Sequence, residues 1–158
     1  MEKQDPYMAA RDALEDRMEA LHDRAYEIVM KHWEAVRSYE RQSPGWENRS
    51  TLQLRCDKKG NSIRIDWCGL KWYGSKKLDN RKMIRITISK PPGSHGYHLP
   101  KLYAHAKEWE KPLIKVTEEK LGAIRREASH VIKAIIAVRY AAKVALSDAA
   151  SLLKEGAD

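Results

Sequence analysis

Three histidines and a tyrosine lie close together in a proline-rich part of the chain: His95, Tyr97, His98 and His105. Closely spaced histidines are typical of metal sites, and a tyrosine beside such a site can act as a nucleophile. Enzymes that nick DNA with a metal ion and a tyrosine nucleophile carry two histidines that flank one apolar residue on a strand. They also carry a third metal ligand. That spacing is absent here. We therefore interpret the histidines as polar residues of a loop and predict no metal site.

Two acid-x-Lys triplets have a spacing that occurs in nucleases: Asp57-Lys58-Lys59 and Glu118-Glu119-Lys120. The first falls in a predicted turn without a preceding strand acid. The second falls at a predicted helix start, where acids interact favourably with the helix dipole. The chain also lacks a glycine-rich phosphate loop, a serine elbow and a cysteine with a plausible base nearby. We therefore predict that the protein is not an enzyme and needs no cofactor.

Positive charge is concentrated in the middle of the chain. The 158 residues include 30 Lys/Arg and 22 Asp/Glu, a formal net charge of +8. Residues 44–111 carry 15 of the basic residues and 6 of the acidic ones, whereas residues 1–43 carry 7 and 10. A basic segment with so few acids favours a polyanionic ligand. The residues predicted to contact nucleic acid are Arg55, Lys58, Lys59, Arg64, Lys71, Lys76, Lys77, Arg81, Lys82 and Arg85. The alternative is a sheet face whose charge only keeps it soluble.

The elements that must position these cations are β-strands. Apolar residues alternate with polar ones around Leu54, Ile65 and Ile86, which is the period-two pattern of half-buried strands. We therefore predict a basic, three-stranded antiparallel sheet over residues 49–90. Cys56 and Cys68 are expected on opposite faces of it, so we predict no disulfide between them.

A bulge is expected in the second strand at Gly69. After that bulge, Leu70 and Trp72 return to the buried phase, and both Trp67 and Trp72 are expected to belong to the core. In this arrangement the solvent face carries Arg55, Arg64, Lys71 and Arg85.

Long helices are predicted on both sides of the sheet in the sequence. The first covers residues 6–41, with Asp5 as N-cap and Pro6 at the first helical position. The second is a helical segment over residues 101–154 that breaks near residue 112, because Pro112 disfavours a helical conformation of the residue before it. Both helices carry apolar residues at alternating spacings of three and four. The fold class is α+β in the order α-β-β-β-α-α, a single domain over residues 1–158 with its helices packed antiparallel.

The order of these features resembles the MobI-like auxiliary mobilisation proteins of conjugative plasmids and integrative conjugative elements. The residues that carry the resemblance are Ser62–Trp67 with Trp72 following, Ala106–Glu110 and Ala123–Arg125. It covers most of the chain and includes no catalytic motif. The resemblance implies a small protein that acts at the transfer origin and helps a separate relaxase to assemble and nick DNA.

Our first hypothesis is therefore a non-enzymatic accessory factor of conjugative transfer that binds double-stranded DNA. We expect it to form a homodimer through its helices and to meet a relaxase or other relaxosome proteins. The alternatives are a protein-interaction adaptor or inhibitor with an acidic partner, and an RNA-binding factor. The charged N-terminus has no secretory signal and no apolar run is long enough to span a membrane, so we expect a cytoplasmic protein that does not bind membranes.

Overall fold

Two long helices and a three-stranded sheet make up most of the fold. The structure is a computed structural model that describes residue 3 and residues 5–156. Its elements are α1 (Pro6–Gln42), β1 (Leu52–Lys59), β2 (Ser62–Tyr73), β3 (Lys82–Thr87), α2 (Leu99–Tyr103) and α3 (Lys111–Glu155). Short 3-10 turns precede β1 and α3. The predicted α+β class and element order are confirmed.

Helix α1 begins at Pro6, as the sequence predicts, and ends at Gln42, one residue later than predicted. The Asp5 side chain accepts a hydrogen bond from the Tyr7 backbone N–H at 2.9 Å, and Pro6 occupies the first turn. A carboxylate in this position satisfies a donor that the helix itself leaves unpaired. Buried residues then recur along one side of the helix: Met18, Leu21, Ala25, Val29, His32 and Val36.

The sheet has the strand order β1-β2-β3, and both pairings are antiparallel. Leu54 lies opposite Trp67, and Cys56 lies opposite Ile65. These residues face the helices, and Leu54, Ile65 and Trp67 are each at most 3% exposed. Cys56 shares this face whereas Cys68 lies on the other, and both cysteines are free thiols.

Helix α3 packs antiparallel to α1 and completes the core over the helix-facing side of the sheet. Ile114, Leu121 and Ile135 on α3 are fully buried. An ion pair joins the two helices at their surface, with Arg17 Nε 2.6 Å from Glu127 Oε2. Because α3 is longer than α1, residues 143–155 of α3 lie beyond the core, and their side chains are exposed.

The chain between the sheet and α3 differs from the sequence-based expectation. The part of the predicted helical segment that precedes residue 112 is instead α2 followed by a turn and a 3-10 segment at Glu108–Glu110. Pro112 does not interrupt a helix but lies in the first turn of α3. Proline is favoured there because its missing N–H has no partner in the first turn anyway.

Among the described residues, no helix combines the length and apolar character needed to cross a lipid bilayer.

Candidate nucleic-acid interface

Three predicted arginines share the sheet face that points away from the helices, here called the open face. Arg55 lies directly opposite Asp66 in the β1–β2 pairing, and Arg85 lies opposite Leu70 in the β2–β3 pairing. Arg64 is two residues before Asp66 and therefore projects to the same side. Three of the four cations predicted for this face therefore lie on it.

The open face carries three arginines and two acids, Asp57 opposite Arg64 and Asp66 opposite Arg55, so its charge is neutralised only in part. Arg64 Nε lies 3.5 Å from Asp66 Oδ2, and Arg85 Nε donates to Gln53 Oε1 at 3.1 Å. Arg55 is half-buried, and its Nε has no hydrogen-bond partner among the described residues. Within that same set, no acid of α1 forms an ion pair with these arginines. The face therefore keeps a positive charge.

The bulge expected at Gly69 is absent. Gly69 pairs one-to-one with Leu52 on one side and Ile86 on the other. It is glycine because the His105 ring lies against it: a Cβ at this position would meet His105 Nδ1 at 2.6 Å. Close approach of another group is the second common reason for a glycine inside a strand.

Without the bulge, every later residue of β2 lies on the face opposite to the expected one. Lys71 therefore does not join the open face but lies on the helix-facing side of the sheet, opposite Ile84. Trp72 lies on the open face and is 51% exposed, so its assignment to the core was wrong, whereas that of Trp67 is confirmed.

The end of the β2–β3 hairpin extends beyond the helices as a basic ribbon, defined as residues 70–85. Residues on both of its faces are exposed, including Trp72, Tyr73, Met83 and Ile84. Because both of its faces are exposed, this part of the hairpin lies outside the core. Its sequence contains six Lys/Arg and one acid, Asp79. The six are Lys71, Lys76, Lys77, Arg81, Lys82 and Arg85.

The tip of the ribbon is an ordered turn. Gly74 has a φ of 83°, and a Cβ on it would meet the Asn80 backbone oxygen at 2.4 Å. The Asn80 side chain accepts a hydrogen bond from the Ser75 N–H at 2.9 Å. Leu78, at the apex, is 74% exposed. These contacts fix the conformation of the loop that carries Lys76 and Lys77.

Aromatic side chains on the ribbon lie against its cations. The Arg81 guanidinium lies 4.5 Å from the Trp72 ring centroid, and Lys71 Nζ lies 5.1 Å from the Tyr73 centroid. Such cation–π contacts orient long side chains at exposed sites. Trp72 and Leu78 belong to this surface although the sequence did not lead us to expect them there. Strict alternation continued through Gly69 would have placed Trp72 on the open face.

Lys58 and Lys59 lie at the other end of the sheet, beside the β1–β2 turn. The distance between Ser62 and Tyr73 along β2 is about 36 Å, at roughly 3.3 Å per residue. The ten predicted residues are therefore spread along the sheet: Lys58 and Lys59 at the turn, Arg55 and Arg64 on the adjoining part of the open face, and the six cations of the basic ribbon, Arg85 among them, at the far end. They are not one compact cluster.

A buried ion pair holds the sheet on α3. Arg125 donates to both oxygens of Glu118, at 2.6 and 3.1 Å. Glu118 also accepts from Trp67 Nε1 at 2.6 Å and from the Tyr97 N–H at 2.8 Å. Glu118, which the sequence singled out only as part of an acid-x-Lys triplet, therefore orients β2 from inside the core.

The histidines of the proline-rich segment do not converge. Among the described residues, no group of three His, Cys, Asp or Glu side chains is arranged to hold a metal. The His95 carbonyl accepts from Arg125 at 3.0 Å, and the His105 carbonyl accepts from Thr51 Oγ1 at 2.8 Å.

Cys56 is not a reactive thiol. Its burial and, to a smaller extent, the nearby negative charge of Asp57 raise its pKa to about 11, so the thiol stays protonated at neutral pH.

Comparison with known proteins identifies the family of this chain. Neither the curated proteins nor the solved structures give a match. A family model described as MobI protein matches residues 21–139, which include most of α1, the whole sheet and most of α3. The chain therefore belongs to the MobI family of accessory proteins of mobilisation.

Proposed function

We propose that this protein binds double-stranded DNA through the open face and the basic ribbon, and that it does so at a transfer origin to assist a separate relaxase. The observation that carries the proposal is the projection of the ribbon from the helices, with six cations and one acid. Arginine and lysine on a two-stranded ribbon can contact phosphates and enter a groove. Membership of the MobI family supports the link to mobilisation.

The spacing of the three basic groups favours duplex DNA. One turn of B-DNA is about 34–36 Å long, close to the length of β2 estimated above. Lys58 and Lys59 at one end and the ribbon at the other end can therefore meet the backbone at points about one turn apart. Arg55 and Arg64 of the open face lie between them.

A second copy of the chain would extend this surface, and we propose that the protein is a homodimer. The exposed end of α3 supports a dimer because it carries large apolar residues outside the core: Val144, Leu146, Leu152 and Leu153, each at least 58% exposed. Exposed apolar residues that continue a helical seam are typical of helix pairing.

The first test removes two cations from the open face. In the variant Arg64→Glu/Arg85→Glu, we expect the affinity for a duplex of about 30 base pairs to fall at least tenfold, because two phosphate contacts become repulsive. The measurement is fluorescence anisotropy at fixed salt, with circular dichroism to establish that the fold is retained.

The matched control is Lys115→Glu/Lys133→Glu, which makes the same change of charge at exposed positions on α3. It should bind DNA with nearly the wild-type affinity. Equal losses in the two variants would mean that net charge alone attracts DNA, and retention of binding by the Arg64→Glu/Arg85→Glu variant would exclude the open face as the site.

A role in RNA binding is the second candidate, favoured by the exposure of Trp72 and Tyr73 on the ribbon. Aromatic side chains can stack on unpaired bases. Competition between duplex DNA and single-stranded RNA of equal length distinguishes the two. Our proposal expects the duplex to displace RNA at lower concentration, and the reverse order would favour the RNA-binding function.

A further inference from the structure

The first half of β2 has a neighbouring strand on one side only. Strand β3 pairs with Cys68–Tyr73, and within the described chain no strand pairs with the free side of Ser62–Trp67. An exposed strand edge presents backbone donors and acceptors that can pair with another chain. This edge is therefore a potential binding surface that differs from the open face.

Side chains cover the inner part of this edge and leave its outer part open. Arg125 Nε donates to the Ile65 carbonyl at 3.0 Å, and the Trp67 N–H donates to Tyr97 Oη at 3.3 Å. Because the groups of alternate residues point to the same side of an antiparallel strand, the N–H and C=O of Ile63 point to the free edge as well. In the described residues, no backbone or side-chain hydrogen bond outside the sheet uses these two groups.

A groove of about 470 Å³ runs beside this part of the edge. It is lined by residues of β2 and α3, and also by Ser94 and His95. The apolar part of its lining consists of Ile63, Ile65, Met18, Ala128 and Ile132. A volume of about 470 Å³ is far too small for a DNA duplex, but the groove can accept an extended segment of a polypeptide.

The charge at the rim of the groove is positive. Lys59, Arg64 and Lys90 line it, and the carboxylate beside them, Asp66, pairs with Arg64. Lys90 Nζ lies 5.2 Å from the Tyr97 ring centroid, which holds it near the groove. An occupant with acidic side chains would therefore complement the rim.

We propose that the free edge of β2 binds an extended acidic segment of a partner protein, which adds to the sheet as a strand. The backbone of the segment pairs with Ile63, one of its apolar side chains enters the groove, and its flanking carboxylates meet Lys59 and Lys90. Pairing through the backbone with side-chain pockets for alternate residues is a recurrent mode of peptide recognition. This inference does not depend on DNA binding by the open face.

The test uses a fluorescent hexapeptide in which Val alternates with Glu. We expect it to bind the wild-type protein in anisotropy titrations. A peptide with Lys in place of Glu should bind at least tenfold more weakly, and so should an acidic peptide N-methylated at every backbone amide, which has no backbone N–H on either edge to donate to β2.

Two variants place the binding site in the groove. Ser129→Trp fills it from α3, and Lys90→Glu reverses the charge of its rim; each should weaken peptide binding at least tenfold. The control is Lys101→Glu, an exposed lysine outside the groove, which should bind the peptide normally. Ser129→Trp should also keep its affinity for duplex DNA, which separates this site from the open face.

Any of three results would overturn the proposal. The first is that the acidic peptide does not bind to the wild-type protein. The second is that Ser129→Trp binds it as the wild type does. The third is that the N-methylated peptide binds as well as the unmodified one, since attraction by charge alone would then explain the affinity.

Discussion

His32 makes the stability of the protein depend on pH. Its ring is 4% exposed, lies within 2.9 Å of Thr117 Oγ1 and packs edge-on against Trp67. Burial lowers the pKa of His32 to about 4, from an ordinary value of 6.5. In the unfolded chain the imidazole therefore takes up a proton at a higher pH than in the folded protein, and stability falls as the pH decreases from about 6.5 to 4.

We expect the neutral His32 to account for a loss of about 3 kcal/mol in the free energy of unfolding over that range. Urea unfolding at pH 7 and pH 4.5 measures it. The variant His32→Gln, which does not titrate, should lose much less stability between the two values. Buried Glu110, whose pKa burial raises, acts in the opposite direction but is present in both proteins. Equal losses in both proteins would contradict the assignment to His32.

Arg125 and Glu118 form the polar centre of the core. Removing one member of a buried ion pair leaves the other charge without a partner, which costs about 3–5 kcal/mol. Arg125→Met should therefore lower the free energy of unfolding by about that amount, measured with urea at pH 7. The neighbouring exposed residue provides the control, since Arg126→Met should change stability by less than about 0.5 kcal/mol. Similar effects in the two variants would contradict the role given to this pair.

At the scale of elements, periodicity predicted the helices and strands but not the contacts between them. The start of α1 could be predicted because Asp5 and Pro6 are local signals. The side of the sheet on which Trp72 lies could not be predicted, because it depends on whether Gly69 forms a bulge or packs against His105 within a regular strand. The packing of His105 against Gly69 is a contact between residues that are far apart in sequence. The same is true of Glu118, whose partners Trp67 and Tyr97 come from other elements.

The exposed end of α3 is the element on which the proposed dimer depends. Leu146 and Leu153 are 73% and 77% exposed. Replacing both with Glu should prevent burial of the helix end and convert a dimer into a monomer, measured by sedimentation velocity. A single apolar residue exposed on α1, changed in Tyr26→Glu, serves as the control and should leave the dimer intact. A wild-type protein that sediments as a monomer would refute the dimer itself.

At the scale of the whole molecule, acidic and basic residues occupy different parts of the fold. Residues 1–43, mainly α1, carry more acids than bases, and the excess of positive charge lies in the middle of the chain. The sequence therefore predicted a basic sheet on a helical scaffold, and the structure has this arrangement. The projection of the ribbon beyond the helices could not be predicted, because it depends on where α1 and α3 cross the sheet.

The salt dependence of DNA binding tests the central claim most directly. Each phosphate that a cation neutralises on B-DNA contributes about 0.9 to the slope of log affinity against log salt. We would compare the wild-type protein with a ribbon variant in which Lys76, Lys77, Arg81 and Lys82 are replaced by Ala. The control replaces four exposed cations of the helices, Lys31, Arg37, Lys115 and Lys133, by Ala.

We predict a steep slope for the wild type, the same slope for the control, and a slope shallower by up to about 3.6 for the ribbon variant. A ribbon variant with the wild-type slope would contradict the account, because the basic ribbon would then make no contact with the DNA backbone.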